Sequence, residues 1–213
     1  MGDKFRSFED LEKNETAGID YRILVRQGRT GFSVCAPHGG GIEEGTSEIA
    51  DAIAGEEFSL YTFDGLKSKN NGELHITSTL FDEPLCITLI ERCKTVVTIH
   101  GQESTVDGDG VFIGGLDRGM GASIGAALKD AKFAVHKHPE ANLQGLDPSN
   151  ICNRGMNGEG VQIEISRSVR QGMFLSLSSK GRKEPTASFD AFVAAVRSIL
   201  EQQEQPRSAD ASS

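Results

Sequence analysis

A histidine and a glutamate, His38 and Glu43, are separated in the sequence by three glycines and an isoleucine. Glycine permits the tight turn that would bring the two side chains to one point. A neutral imidazole nitrogen and a carboxylate oxygen are ordinary zinc ligands, and a catalytic zinc usually has three protein ligands and a water. The third ligand must come from elsewhere, and His100, which follows an apolar run and precedes a glycine, is the best candidate. These residues predict a zinc site of two histidines and one carboxylate.

Each of these histidines also has a simpler interpretation, as a core or surface residue that binds nothing. The zinc prediction therefore depends on the combination of three ligand-type residues, each close to glycine at the end of an apolar run. Glu44 is the competing carboxylate. Because adjacent side chains point in different directions, only one of the two glutamates is expected to coordinate, and Glu43 is preferred.

A hydrolytic metal site also needs a group that carries protons, and Glu164 is the best candidate. It lies between two isoleucines in a segment that is predicted to be a buried strand. If its side chain faces an apolar cleft, its pKa should be raised into the range useful for acid and base catalysis. The alternative is a solvent-facing glutamate that shares one side of the strand with Gln162 and Ser166.

Several arginines could hold a substrate carboxylate, because a guanidinium binds a carboxylate through two parallel hydrogen bonds. Arg154 is favoured, since it lies in a loop punctuated by glycine and asparagine. Arg118 follows a glycine pair, and Arg167 and Arg170 follow the predicted Glu164 strand. Each of these arginines, taken alone, is more often a solvated surface residue.

Predicted strands alternate with predicted helices from residue 21 to residue 200. Strands are indicated by apolar or β-branched runs at 21–26, 32–36, 58–63, 95–99, 111–113, 133–136 and 161–165. Helices are indicated by apolar residues at helical spacing near 5–14, 46–55, 82–91 and 117–130 and after residue 188. Residues 74–76 are expected to form a short strand or extended segment.

This alternation is typical of an α/β protein with an open, mixed, mainly parallel sheet and helices on both faces. Ligands of such sheets gather at the carboxyl ends of the strands. His38 and His100 are both expected just beyond a strand end, where that rule places a site.

Length and composition limit the function classes. The 213 residues fit one domain, which we assign to residues 1–203, followed by a polar tail at 204–213 that is predicted to be disordered. A net charge of −9 argues against nucleic-acid binding. No apolar run approaches the roughly 20 residues that cross a bilayer, and the first residues do not resemble a secretory signal. We therefore expect no membrane association and a cytoplasmic protein, released where the cell lyses. The four widely spaced cysteines are expected to be reduced and buried.

Five segments together resemble the poly-γ-glutamate hydrolases of phages and Bacillus. They are FEDLEKNE at 8–15, DYRI at 20–23, APHGGGIE at 36–43, LHITS at 74–78 and VTIHG at 97–101. The resemblance extends over about residues 5–200. It implies a zinc carboxypeptidase-like fold in which His38, Glu43 and His100 hold zinc and Glu164 is the general base. Arg118, Arg154, Arg167 and His75 are assigned to substrate binding.

The resemblance implies a monomeric, zinc-dependent hydrolase that cleaves the γ-glutamyl amide bonds of poly-γ-glutamate. Zinc and Glu164 would activate a water that attacks the amide carbonyl, and Glu164 would pass the proton to the leaving amine. The arginines would hold the α-carboxylates that γ-linked glutamates carry. A zinc deacylase or carboxypeptidase that acts on a small N-acyl amino acid or peptide is the alternative. A metal-stabilised module that binds polyanions or a partner protein, without catalysis, is the third interpretation.

Overall fold

A single mixed sheet dominates the computed structural model, which describes residues 3–104 and 109–204. Its strands are β1 (Tyr21–Arg26), β2 (Phe32–Gly40), β3 (Ser59–Gly65), β4 (Thr95–Gln102), β5 (Val111–Gly114), β6 (Val135–His136) and β7 (Val161–Ser166). They lie in the order β1-β3-β2-β4-β7-β5-β6. The β1–β3 and β7–β5 pairs are antiparallel, whereas the other four neighbouring pairs are parallel. The predicted open, mixed, mainly parallel sheet is confirmed.

Helices cover both faces of the sheet, as predicted. The α-helices in the described residues are α1 (Phe8–Glu12), α2 (Thr46–Ala54), α3 (Pro84–Ile90), α4 (Arg118–Asp130), α5 (Arg167–Met173) and α6 (Ala187–Glu204). Helices α2, α4 and α6 pack on one side against residues such as Val97 and Ile163, and we call this side the α6 face. Helices α1 and α3 pack on the other side against residues such as Phe63 and Val96, and we call it the α3 face.

Helix α4 shows why some element boundaries were predictable. Asp117 accepts a hydrogen bond of 2.9 Å from the backbone N–H of Met120, which satisfies a donor that the helix leaves free. Met120, Ile124 and Leu128 recur every fourth residue and are all buried on the α6 face. Such a cap, followed by one apolar stripe, is a strong signal for a helix.

Other elements differ from the prediction. Helix α5 was not predicted, because its seven residues offer only two apolar positions, Val169 and Met173, for a periodic pattern. In the segment expected to be extended at 74–76, Leu74 is instead the last residue of the 3₁₀ helix Asn71–Leu74, whereas His75 has the expected extended backbone. Further short 3₁₀ helices lie at Ala141–Leu143, Ile151–Asn153 and Gly181–Lys183. Glu204 ends α6, and the remainder of the predicted tail, 205–213, lies outside the described residues.

Strands β2 and β4 continue further than predicted, so His38 and His100 lie within strands and not beyond them. The neighbouring strands cause the extension, because β3 pairs with β2 as far as Gly40 and β7 pairs with β4 as far as Gln102. Both histidines nevertheless lie in the C-terminal halves of parallel strands, the edge of the sheet at which a site was expected.

A β-bulge in β2 changes the face on which His38 lies. Ala36 pairs with Thr62 and Gly39 with Asp64, so β2 contains one residue more than β3 over this stretch. Val34 and Ala36 pack on the α6 face, and strict alternation would place His38 there too. Instead its ring contacts Phe81 of the α3 face, with ring centroids 6.1 Å apart.

No helix in the described part of the chain is both long enough and apolar enough to cross a membrane.

We predict that Gly40→Ala destabilises the fold by about 2–4 kcal/mol, because Gly40 combines two constraints. Its φ is +64°, and an added Cβ would lie 2.5 Å from the carbonyl oxygen of Gly65. Urea unfolding measures the effect. Gly72→Ala is the control, since a Cβ at Gly72 meets nothing within 4 Å. Equal stability of the two variants would contradict the proposed constraint on β2.

Candidate active site

Three of the predicted residues, His38, Glu43 and His100, meet in space. The Nδ1 atoms of the two histidines are 3.2 Å apart. Glu43 places Oε1 3.1 Å from His38 Nδ1 and Oε2 3.8 Å from His100 Nδ1. Residues separated by up to 62 positions in the chain therefore share one point at the edge of the sheet.

Backbone structure explains this meeting. His100 belongs to β4 and points to the α3 face, and the bulge in β2 turns His38 to the same face. The glycine run then reverses the chain, and the N–H of Glu43 donates to the His38 carbonyl at 2.9 Å. The N–H of Gly101 donates to Glu43 Oε2 at 2.7 Å and fixes the carboxylate beside the two rings.

The hydrogen bonds of His38 determine which ring nitrogen is free. His38 Nε2 lies 2.8 Å from the carbonyl oxygen of Ile76. A carbonyl can only accept, so Nε2 carries the proton and donates it. In the neutral ring, Nδ1 therefore keeps its lone pair and directs it at Glu43 and His100. A carbonyl that accepts a hydrogen bond from the distal ring nitrogen and so fixes the tautomer is typical of metal-binding histidines.

His38 and Glu43 each stabilise the charged form of the other. Burial lowers the pKa of His38, but the Glu43 carboxylate more than offsets this, so the pKa lies above its ordinary value. Burial likewise opposes ionisation of Glu43, yet the nearby His38 holds its pKa at about 2. Burial lowers the pKa of His100 to about 3. At neutral pH, Glu43 is therefore ionised and His100 is neutral, which are the forms that bind a metal.

The arrangement fits a zinc ion. Zn–N distances of about 2.0–2.1 Å in a tetrahedral site require ligand atoms about 3.3 Å apart. His38 Nδ1 is 3.2 Å from His100 Nδ1 and 3.1 Å from Glu43 Oε1, both close to that value, whereas His100 Nδ1 is 3.8 Å from the other carboxylate oxygen, Oε2.

His75, assigned to substrate binding from the sequence, lies against the same cluster. Its ring centroid is 3.9 Å from that of His38, and its Nε2 is 3.9 Å from Glu43 Oε1. Ligand atoms of His38, Glu43 and His75 all lie within 4.8 Å of one another. His75 is therefore a further nitrogen donor within reach of the centre.

Glu164 lies beside the cluster. It pairs with His100 in the β4–β7 register, so the two side chains are neighbours on the α3 face. A cavity of about 140 Å³ is lined by both residues and by His38 and Glu43. The amide of Gln162 donates to Glu164 Oε1 at 3.1 Å. Burial and the negative charge of Glu43 raise the pKa of Glu164 well above its ordinary value, although Arg170 acts in the opposite direction. Glu164 is buried, which excludes the alternative that its side chain faces solvent.

Two of the predicted substrate arginines lie elsewhere. Arg154 donates to the carbonyl oxygen of Phe81 at 3.0 Å, and the next residue, Gly155, lies against Val96 at the opposite end of β4 from His100. Arg118 is exposed at the start of α4 and lines a separate cleft of about 550 Å³. Neither residue lines the cavity that contains Glu164. The loop that carries Arg154 and the helix start that carries Arg118 were recognisable from the sequence, but their positions relative to Glu164 were not.

Arg167 and Arg170 lie near the site. Arg167 forms ion pairs with Glu44 at 3.0 Å and Glu103 at 3.3 Å. Arg170 is buried and donates to three backbone carbonyls, those of Glu44, Gln102 and Ile165. It also lines a cleft of about 650 Å³ that adjoins the cavity and shares Glu43, His75 and Gly101 with it. Arg170 was among the arginines considered from the sequence but was not assigned to substrate binding, because its position depends on the unpredicted helix α5. Polar residues that line the cavity were also missed, namely Thr77, Ser78, Thr79, Gln102 and Asn150.

The raised pKa of Glu164 predicts a pH-dependent stability of the metal-free protein. The folded state keeps the proton to higher pH than the unfolded chain, so this contribution is complete below the ordinary pKa of 4.5 and is lost as pH rises through the folded-state pKa. We expect the free energy of unfolding to fall, relative to Glu164→Gln, by up to about 1.4 kcal/mol per pH unit. Urea unfolding with chelator from pH 4.5 to 8 measures it. The exposed control, Glu159→Gln, should follow the wild type, and parallel curves for wild type and Glu164→Gln would contradict the assignment.

Comparison with known proteins assigns the family. A family model described as poly-gamma-glutamate hydrolase matches residues 5–195. The SPbeta prophage-derived UPF0714 protein YoqZ of Bacillus subtilis (strain 168) is 39% identical over 181 residues, which are 84% of this chain and 65% of YoqZ. The UPF0714 protein YmaC of the same strain is 36% identical over 204 residues, covering 94% of this chain and 85% of YmaC. The chain thus matches slightly less than two thirds of the length of YoqZ.

Two solved structures share the fold. A bacteriophage poly-gamma-glutamate hydrolase superposes with a TM-score of 0.90 at 31% identity, covering 95% of this chain and 98% of the phage protein. The zinc-free apo form of YndL superposes with a TM-score of 0.88 at 33% identity, covering 96% and 100% of the two chains. The expected zinc carboxypeptidase-like fold is confirmed. The chain therefore belongs to the poly-gamma-glutamate hydrolase family, a family of amide hydrolases.

Proposed function

We propose that the protein is a zinc-dependent hydrolase that cleaves the γ-glutamyl amide bonds of poly-γ-glutamate with a metal-activated water. The observation that carries the proposal is the meeting of His38, Glu43 and His100 beside the buried Glu164 in one cavity. Family membership supplies the substrate class.

His38, Glu43 and His100 are the proposed ligands. Their donor atoms are two imidazole nitrogens and one carboxylate, a set that suits a catalytic zinc with one position left for water. The chemistry that a bound zinc supplies is a lowered pKa for water and polarisation of an amide carbonyl. The Ile76 carbonyl and the Gly101 N–H orient two of the ligands and support this assignment.

Glu164 is the proposed acid and base. A buried carboxyl with a raised pKa can take a proton from water and hold it near neutral pH, until it delivers the proton to the leaving amine. The Gln162 amide holds one carboxyl oxygen and so limits the rotation of the side chain. Its position next to His100 on adjacent strands keeps this group at a constant distance from the proposed ligands.

Substrate carboxylates need cations, and the structure favours Arg170 and Arg167 over Arg154 and Arg118 for this role. Arg170 lines the open cleft that adjoins the cavity, together with His75. Arg167 forms ion pairs with Glu44 and Glu103, and a polyanion would compete with these acids for its guanidinium. An open cleft of about 650 Å³ next to the small cavity suits a chain that extends beyond the bond to be cut.

The proposed acid and base role of Glu164 can be tested by substitution. We expect Glu164→Gln to lower kcat on poly-γ-glutamate by about 10²–10⁴-fold, because the amide cannot accept the proton of the water. The zinc content, measured by inductively coupled plasma mass spectrometry, should stay unchanged because Glu164 is not a proposed ligand. His100→Ala is the contrasting variant and should lose both zinc and turnover. A fully active Glu164→Gln enzyme would remove Glu164 from its role.

The proposed substrate can be tested directly. A long γ-glutamyl polymer should be shortened, as seen by size-exclusion chromatography, and shortening should stop with chelator and resume with added zinc. N-acyl amino acids and short peptides are tested in parallel. If these are hydrolysed while the polymer stays intact, the deacylase or carboxypeptidase alternative is correct. Binding of the polymer without hydrolysis of any amide would instead establish the non-catalytic module.

A further inference from the structure

Asp3 forms hydrogen bonds with two residues of the segment that carries His75. Its Oδ1 lies 2.8 Å from His75 Nδ1, and its Oδ2 accepts a hydrogen bond of 2.7 Å from the N–H of Thr77. Both carboxylate oxygens thus contact residues two apart in one short segment. The Asp3 side chain is 26% exposed, and it lines the cleft next to the proposed zinc ligands.

The first contact orients His75. A carboxylate accepts, so His75 Nδ1 carries the proton and donates it to Asp3. The neutral ring then directs the lone pair of Nε2 away from Asp3 and towards Glu43, whose Oε1 is 3.9 Å from it. The ring of His75 also lies against that of His38, with centroids 3.9 Å apart. Asp3 therefore sets which nitrogen of His75 faces the reacting position.

The second contact reaches His38. Thr77 and His75 are both held by Asp3, and Ile76 lies between them. The Ile76 carbonyl accepts the proton of His38 Nε2 and thereby leaves His38 Nδ1 free for a metal. A carboxylate that fixes residues 75 and 77 also fixes the carbonyl of residue 76.

We infer that Asp3 is a positioning residue of the active centre. It holds His75 in the Nδ1–H tautomer with Nε2 facing the metal site, and it holds the Ile76 carbonyl that selects the ligating tautomer of His38. The inference extends the proposed function and rests on it for the effect on turnover, whereas its effects on tautomer and metal affinity are independent of the substrate.

The alternative is that Asp3 only anchors the N-terminal segment to the rest of the fold. Lys4, the next residue, allows the two roles to be compared. Lys4 anchors the same segment through Glu15 at 3.2 Å and Glu73 at 2.9 Å, but neither contact involves a residue of the proposed centre. If Asp3 only anchored the segment, loss of the Lys4 contacts should have similar consequences to loss of the Asp3 contacts.

The test compares Asp3→Asn with Lys4→Ala, each carrying any affinity tag at the C-terminus. Asparagine keeps the size of the side chain but replaces one acceptor oxygen by a donor. We expect Asp3→Asn to weaken zinc binding, measured by competition with a chromogenic chelator, by about 10- to 100-fold. On poly-γ-glutamate, kcat should fall in the same range with KM unchanged. Lys4→Ala is the control for zinc affinity alone, because Lys4 also lines the proposed substrate cleft, and it should bind zinc like the wild type. Equal losses of zinc affinity in the two variants, or no loss in Asp3→Asn, would overturn the inference.

A spectroscopic measurement keeps the test independent of the stability of the variants. Imidazole ¹⁵N shifts of the zinc-loaded wild-type protein should show the Nδ1–H tautomer for His75 and a mixed or inverted tautomer in Asp3→Asn. An Nε2–H tautomer of His75 in the wild type would overturn the inference even if Asp3→Asn failed to fold. A wild-type protein with the expected tautomer and zinc affinity, but with no cleavage of the polymer, would instead refute the proposed function alone.

Discussion

One extra residue in a strand determines whether His38 can meet Glu43 and His100. Side chains in a regular strand alternate between the two faces of the sheet, and His38 would by that rule join Val34 and Ala36 among the helices of the α6 face. The bulge between Ala36 and Gly39 transfers it to the face that carries His100 and Glu164. The short glycine turn can then bring Glu43 back to the His38 ring. The remaining features of the site depend on this change of face, including the hydrogen bonds that join His38 to the Ile76 carbonyl and Glu43 to the Gly101 N–H.

The sheet itself could be predicted because its signals are local. Strand β4 follows from a run of β-branched residues, and helix α4 follows from its Asp117 cap and apolar stripe. The candidate ligands were also recognisable, since His38, Glu43 and His100 each lie near glycine at the end of an apolar run. Their assignment as ligands stays a prediction, but their meeting in space is now an observed property of the fold.

What could not be predicted depends on contacts between distant parts of the chain. The bulge is defined by pairing with β3, which the β2 sequence does not encode by itself. The choice among arginines depends on the course of loops, so Arg154 was favoured although it lies at the opposite end of β4. Contact between Asp3 and His75 spans 72 residues, and neither residue type at its position signals the other.

The parallel pairing of β4 with β7 has a consequence for how the site can change. His100 and Glu164 are partners on adjacent hydrogen-bonded strands, so their separation is set by the regular spacing of the sheet, which side-chain substitutions in loops do not alter. The walls of the cavity, in contrast, come partly from irregular segments such as residues 77–79 and 143–150. Substitutions in these loops can therefore reshape the cavity walls while the backbone keeps the spacing of His100 and Glu164 unchanged.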